Sequence, residues 1–269
     1  MATLVAFHAH PDDETLTQGG SIAKAVDEGH RVVIVYATGG ERGQAPDGLL
    51  APGESLVERR VLEAERSAAA LGTARLVWLG YVDSGMEGTP DNHDPACFWQ
   101  AEVDEAAERL AAVLREEGAD VLTIYDENGN YGHPDHVQVH RVGLRAAELT
   151  GVPEVLEVTM SRDHVRRLMD AAADLGIVPD GEWPDFDDPD LVFGVPASAI
   201  TTTVDVTPWL DRKRKAMEAH ASQIVDMGPF FAMPDDVFAA ALGTEFYIRH
   251  GVEPGHRDHD VFRPEGSRR

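Results

Sequence analysis

One cysteine, Cys97, occurs in 269 residues, and a lone thiol excludes an internal disulfide framework. Basic side chains are scarce: Lys and Arg total 23 against 48 Asp and Glu, a formal charge of −25. A field of that sign repels nucleic acid and anionic lipid at long range unless a local basic patch intervenes. The short basic run DRKRK at 211–215 reads as the solvated face of a helix. No run of about 18 apolar residues is present, so no membrane-spanning helix is expected. Nor does a basic stretch followed by an apolar signal segment open the chain. These absences predict a cytoplasmic protein whose partner is neither nucleic acid nor membrane, with a homo-oligomer left open.

Short runs rich in Val, Ile and Leu at 3–8, 31–37, 75–80 and 119–125 are bounded by turn residues, as strands are. Amphipathic stretches at about 15–28, 54–71, 99–117 and 135–149 lie between and after them. Gly29, Gly72, Gly118 and Gly151 stand just past their ends, where a helix C-cap favours glycine. Regular alternation of this kind predicts an α/β fold, a Rossmann-like, mostly parallel sheet with helices on both faces. Residues 1–155 form that catalytic core. Residues 156–269 are expected to add a smaller α+β region completing the substrate site. It comprises a helix near 161–175, a surface loop in the acidic stretch DGEWPDFDDPD at 180–190, a strand at 200–206 and a helix near 208–224.

In open α/β sheets ligands bind outside the carboxyl ends of the strands. Three loops in that position are dense in polar groups: AHPDDE at 9–14, TGGERG at 38–43, and YDENGNYGHPDH at 125–136. A strand end needs a turn, which Pro11 and an Asp would supply, but not a histidine and three acids. Imidazole mixed with carboxylate suits zinc, held in catalytic sites by three protein ligands with one position left for water. His10, Asp13 and His136 can supply that set. His133 and His136 lie on nearly one face across a helix start, and Asp135 between them is placed to orient one ring through its Nδ1 hydrogen. His140, one turn beyond His136, is a rival ligand, whereas His8 and His30 fit a strand core and a turn. Either motif alone also reads as a turn or a helix cap; two of them, each after a strand of one sheet, point to a shared site.

The pair AHPDDE and GHPDH resembles the signature of the LmbE-like, or PIG-L, family of zinc-dependent N-deacetylases acting on N-acetylglucosaminyl compounds. TGGERG, VDSGMEG at 82–88 and, more weakly, KAMEAHASQ at 215–223 extend the likeness over most of the chain. The resemblance implies that His10, Asp13 and His136 bind zinc and that Asp12 is the general base. It makes His133 the group that stabilises the oxyanion or protonates the leaving amine. It further implies that Tyr131 assists the carbonyl oxygen, that Arg60 and Asp83 recognise the sugar, and that His220 lies near the site from the second half. Glu41 is either a turn acid or a residue supporting the site. The chemistry agrees: amide hydrolysis needs an activated water, a polarised carbonyl and a proton for the departing amine. With Asp12 as base, His133 backed by Asp135 would carry positive charge opposite it.

The likeness is greatest to the branch that deacetylates the mycothiol precursor, on a small-molecule glycoside. A mycothiol S-conjugate amidase is the alternative; that type carries a lysine shortly after the first motif, where this chain has Gln18. Two readings come from other classes. A Rossmann-type nucleotide-binding module is disfavoured because no GxGxxG follows the first strand, and acids would stand where pyrophosphate must lie. A non-catalytic metal-dependent binding protein is disfavoured by Asp12, since a structural zinc site closes its fourth position and needs no free base. The residues do not choose between zinc and iron, and they leave the aglycone open.

Overall fold

The four apolar runs and the segments between them form the elements that their patterns predict. β1 (Thr3–His8), β2 (Arg31–Thr38), β3 (Arg75–Tyr81) and β4 (Val121–Tyr125) alternate with α1 (Asp13–Asp27), α2 (Leu56–Leu71) and α3 (Val103–Glu117). After β4 come a single broken turn, α4 (Gly129–Gly132), then α5 (Pro134–Thr150), β5 (Glu154–Thr159) and α6 (Arg162–Asp174). The chain continues through β6 (Thr202–Asp205), α7 (Leu210–Ala219), α8 (Asp235–Leu242) and β7 (Thr244–Arg249). The structure is a computed structural model that describes residues 1–174, 185, 186, 188, 191–223, 228, 230–253 and 255–262. Apart from Asp185, Phe186 and Asp188, the acidic stretch 180–190 lies outside the described residues. Among the described residues no helix is long and apolar enough to cross a membrane.

One sheet runs in the order β3-β2-β1-β4-β5-β7-β6. β1 to β5 are parallel, and β7 is antiparallel to both β5 and β6. The order reverses between β1 and β4, and a crevice opens at such a switch point. The two motif-bearing loops follow those two strands. β1, β2 and β4 are buried along nearly their whole length, as strands covered by helices on both faces must be. β5 and β7 are elements that the apolar pattern does not announce. Glu154, Glu157, Glu245 and Arg249 interrupt them, and each of these charges has a partner from a distant part of the chain. The helix expected over 208–224 is shorter, since Thr207–Trp209 forms a 3-10 turn and His220 leaves helical geometry at φ −86, ψ 59.

The strands after residue 155 extend the same sheet, and charged groups bind that region to α1. Gln18 departs from helical geometry at φ −147, ψ 17, which breaks the ladder of α1 and creates a second helix start. The N–H groups of Gly20 and Ser21, orphaned there, donate to the Glu245 carboxylate at 2.8 Å each. Lys213 Nζ lies 2.8 Å from the same carboxylate, and both side chains are fully buried. Gly20 admits this approach, because a Cβ would fall 2.4 Å from that of Val206. Next to it His220 Nε2 meets Glu14 Oε1 at 2.9 Å, and Ser67 Oγ donates to that oxygen at 2.7 Å.

Glu245→Ala leaves Lys213 charged and unpaired with two N–H groups unmet, and is expected to cost about 3–5 kcal/mol of stability in urea unfolding. A loss within about 0.5 kcal/mol, as for an ordinary surface change, would remove this contact from the account. The His220–Glu14 pair predicts a pH dependence. Burial opposes the charged ring, but Glu14, with Asp12 and Glu63 behind it, raises the His220 pKa above its ordinary 6.5. The folded state then holds a proton that the unfolded chain releases first. That stabilisation is complete below pH about 6.5 and is lost as pH rises through the folded value. His220→Asn should therefore trail the parent by more at pH 6 than at pH 9. An equal gap at both would mean that the ring carries no proton in the fold.

Candidate active site

The loop after β1 explains its own acids. Asp13 Oδ2 accepts the His10 N–H at 2.9 Å, and Glu14 Oε2 accepts that of Asp12 at 2.9 Å, so both carboxylates close the turn that starts α1. Asp12 itself lies at φ 118 and Asn130, in the loop after β4, at φ 64; among the described residues no other non-glycine has a positive φ. Such positions cost about 1–3 kcal/mol each and concentrate where side chains are held for function. At the second motif Pro134 occupies the first turn of α5, and His133 caps it, its Nδ1 accepting the Asp135 N–H at 3.2 Å.

These loops meet around the Asp13 carboxylate. Its Oδ2 is 3.4 Å from His10 Nδ1, and its Oδ1 is 3.4 Å from His136 Nε2. Ring nitrogens of His10, His133 and His136 lie within 4.8 Å of one another. His136 is buried, stacked on Tyr125 at 4.4 Å, and neither of its ring nitrogens has a hydrogen-bond partner. An unpartnered buried imidazole beside a carboxylate and two further imidazoles is the donor chemistry that zinc takes. His10 turns its Nε2 to Asp135 at 3.2 Å, which leaves Nδ1 on the Asp13 side, as ligating histidines are held by carboxylates behind them. His10, Asp83 and Asp135 form a second convergent set on the other side of the same ring.

The charges are unevenly distributed. Burial works against Asp13, yet the His136 and His10 rings hold its carboxyl well below the usual range. Burial, then the neighbouring Asp13, pushes Asp12 up to about 7, against the pull of Arg60 and His220. Despite burial, Asp13, Asp135 and Asp83 raise His10 well above an ordinary histidine. Burial, with His10 and His136 alongside, lowers His133 to about 2.

A cavity of about 640 Å³ opens over this cluster at the carboxyl ends of β1 and β4. His10, Asp12, Asp13 and His136 form its floor, and Arg60, Asp83, Tyr131 and His133 its walls. Arg60 is no surface residue: it is 4% exposed, and its guanidinium fills the space above Gly40 and Gly43, where a Cβ would fall 1.7 and 2.7 Å from Nη1 and Nη2. The glycines of TGGERG thus admit an arginine from α2. Asp83 accepts from the Arg42 and Gly85 N–H groups at 3.2 and 2.8 Å and approaches His10 Nε2 at 3.6 Å. Tyr131 is 44% exposed at the rim, its ring 4.9 Å from that of His136.

Several placements differ from expectation. Asp135 is fully buried, does not reach the cavity, and orients His10 through Nε2; its carboxylate accepts the Ser84 N–H at 2.9 Å and the Ser84 hydroxyl. His133 Nδ1 receives the Asp135 backbone N–H at 3.2 Å, so the Asp135 carboxylate does not back the His133 ring as the spacing had offered. His220 is buried behind the site against Glu14 and does not line the cavity. His140 turns away, its Nδ1 3.0 Å from the Tyr125 carbonyl, and is no rival ligand. Glu41 does not border the cavity, nor does Gln18, whose amide meets His8 Nε2 at 3.1 Å, so the feature taken against the amidase sits outside the site. His8 and His30 are core and turn residues as expected, bonded to the Tyr125 hydroxyl and the Ala2 N–H.

Sequence reasoning missed other wall residues. Arg42 lies within a quoted motif; its guanidinium pairs with the Asp91 and Asp94 carboxylates and donates to the Asp83 backbone carbonyl. Asn130 also lies inside a motif. Met86 and Gln223 likewise stand in the quoted stretches VDSGMEG and KAMEAHASQ, whereas Leu16, Met160 and Phe230 border the cavity from scattered positions with no local signal.

A family profile described as PIG-L, GlcNAc-PI de-N-acetylase, matches residues 5–147. A 1D-myo-inositol 2-acetamido-2-deoxy-α-D-glucopyranoside deacetylase of Thermobifida fusca is 38% identical over 93% of this chain and 94% of its own. The protein of the same name from Geodermatophilus obscurus is 40% identical over 91% of this chain and 90% of its own. Among solved structures, the N,N'-diacetylchitobiose deacetylase of Pyrococcus horikoshii superposes with a TM-score of 0.58 at 22% identity, covering 94% of this chain and 84% of that one. The fold is therefore shared beyond the reach of sequence, and on the family profile and the full-length relatives together, the chain belongs to the PIG-L family.

Proposed function

We propose that the protein is a metal-dependent hydrolase that removes the N-acetyl group from an N-acetylglucosaminyl-type small glycoside. The observation that carries this reading is the meeting of Asp12 with His10, Asp13 and His136 at the floor of one cavity. The names of the full-length relatives favour an inositol aglycone. In this reading His10, Asp13 and His136 hold one divalent ion, zinc by the donor set. When bound, that ion supplies Lewis acidity towards a carbonyl and lowers the pKa of water to about 7.

The chain's own groups do the rest. Among the described residues none hydrogen-bonds the Asp12 carboxylate, which borders the cavity, so it is placed to take the proton of the attacking water. His133 donates from Nε2 to the oxygen or nitrogen of the scissile amide. Tyr131 at the rim adds a donor for the carbonyl oxygen, and Arg60 with Asp83 offers donors and acceptors to sugar hydroxyls. A C–O bond to water forms, the C–N bond breaks, and the proton passes to the amine, giving acetate and a free amino sugar. The region after residue 155 completes the substrate site, since Met160, Gln223 and Phe230 border the cavity.

A panel of N-acetylglucosaminides with and without an inositol aglycone, assayed for released acetate, tests the reading; no acetate from any of them refutes it. Replacing His136 by Ala removes one of three ligands, and metal content by elemental analysis should collapse while helicity survives. A variant as metal-loaded as the parent would refute the assignment of His136. Asp12→Asn keeps the shape but cannot accept a proton, so it should retain metal and lose about 10²–10⁴-fold in turnover. Parallel loss of metal would make Asp12 a ligand instead.

A further inference from the structure

Asn130 carries two features that the reaction above does not use. Within α4 three residues have positive φ, and of Gly129, Asn130 and Gly132 only Asn130 bears a side chain. Its φ 64, ψ −50 is close to a rare, strained γ-turn, a conformation that glycine adopts without the penalty. The surroundings impose it: the Asn130 N–H donates to Asp126 Oδ1 at 2.9 Å, and its carbonyl accepts the Gly194 N–H at 2.6 Å. The side chain is 2% exposed and borders the cavity beside Tyr131, His133 and His136. Its Oδ1 is buried with no hydrogen-bond partner. A buried carbonyl oxygen lacking a partner is unfavourable, and a glycine here would remove that penalty and the backbone strain together.

We propose that Asn130 is a specificity-determining residue whose side-chain amide hydrogen-bonds a neutral hydroxyl or amide group of the substrate next to the bond that is cleaved. The proposal rests on the deacetylase reading of the cavity. A primary amide offers a donor end and an acceptor end and no charge, which matches an amino-sugar ring and its acyl N–H. It carries no charge to offset that of a phosphate or carboxylate. A polar group left unpaired in the free protein and paired by the right substrate rejects analogues that lack the partner.

The test compares Asn130→Gly and Asn130→Ala with the parent, measuring substrate-free Tm, metal content, kcat and KM on the glycoside that the parent deacetylates. Glycine removes both strain and amide, whereas alanine removes the amide and keeps the strain. Asn130→Gly should raise Tm by roughly 2–4 °C, retain metal, and lose about 10–100-fold in kcat/KM. Asn130→Ala should lose as much kcat/KM without the full rise in Tm. If Asn130→Gly, which suits this backbone, keeps parental kcat/KM, the amide does not meet the substrate and the proposal falls. It falls equally if Tm does not rise, for the amide is then satisfied within the protein. A parent that deacetylates no glycoside refutes the functional reading itself, and the proposal with it.

Discussion

The site is held together by a carboxylate with no access to solvent. Asp135, at the start of α5, accepts from the Ser84 N–H and hydroxyl in the loop after β3 and from His10 Nε2 in the loop after β1. Three loops borne on three strands of one sheet are thus tied to one charge. A buried carboxylate is tolerable only when its lone pairs are met, so the need to satisfy Asp135 sets where His10 and Ser84 must stand. Orienting His10 then sets which of its nitrogens faces Asp13. The geometry of the cavity floor follows from a residue that does not touch the cavity.

Adjacent acids acquire opposite characters around that floor. Asp13 sits between two imidazoles and stays ionised, whereas Asp12, one residue away, is raised by burial and by Asp13 itself. Separation of two neighbouring carboxylates in this way gives one site two different acids from the same residue type. The backbone takes part: Asp12 at φ 118 departs from the helix that Asp13 begins, so the two side chains leave the chain in different directions.

Much of this was legible in the chain. The alternation of apolar runs with amphipathic stretches gave β1 to β4 and their helices, and with them the strand ends where chemistry belongs. AHPDDE and GHPDH named the residues of the floor, because two loops that each join histidine to acids, both following strands of one sheet, point to a shared site. β5 and β7 were hidden by Glu157, Glu245 and Arg249, whose burial depends on partners far along the chain. The wall residues Leu16, Met160 and Phe230 were hidden for the same reason: nothing local marks a side chain that serves only as one side of a space.

The sequence by itself determined the fold class, the strand ends that bear the site and the residue types on its floor, since periodicity and turn chemistry act over a few residues. Only the tertiary structure decided the pairings. Spacing put Asp135 beside His133, but packing turned its carboxylate to His10 and gave His133 only its backbone N–H. Spacing likewise offered His140 as a ligand and His220 as a contact, and packing gave the first to a backbone carbonyl and the second to Glu14. A hydrogen bond is won by the partner that arrives at about 3 Å with the right direction, and which partner arrives is settled by how strands and helices pack, not by distance along the chain.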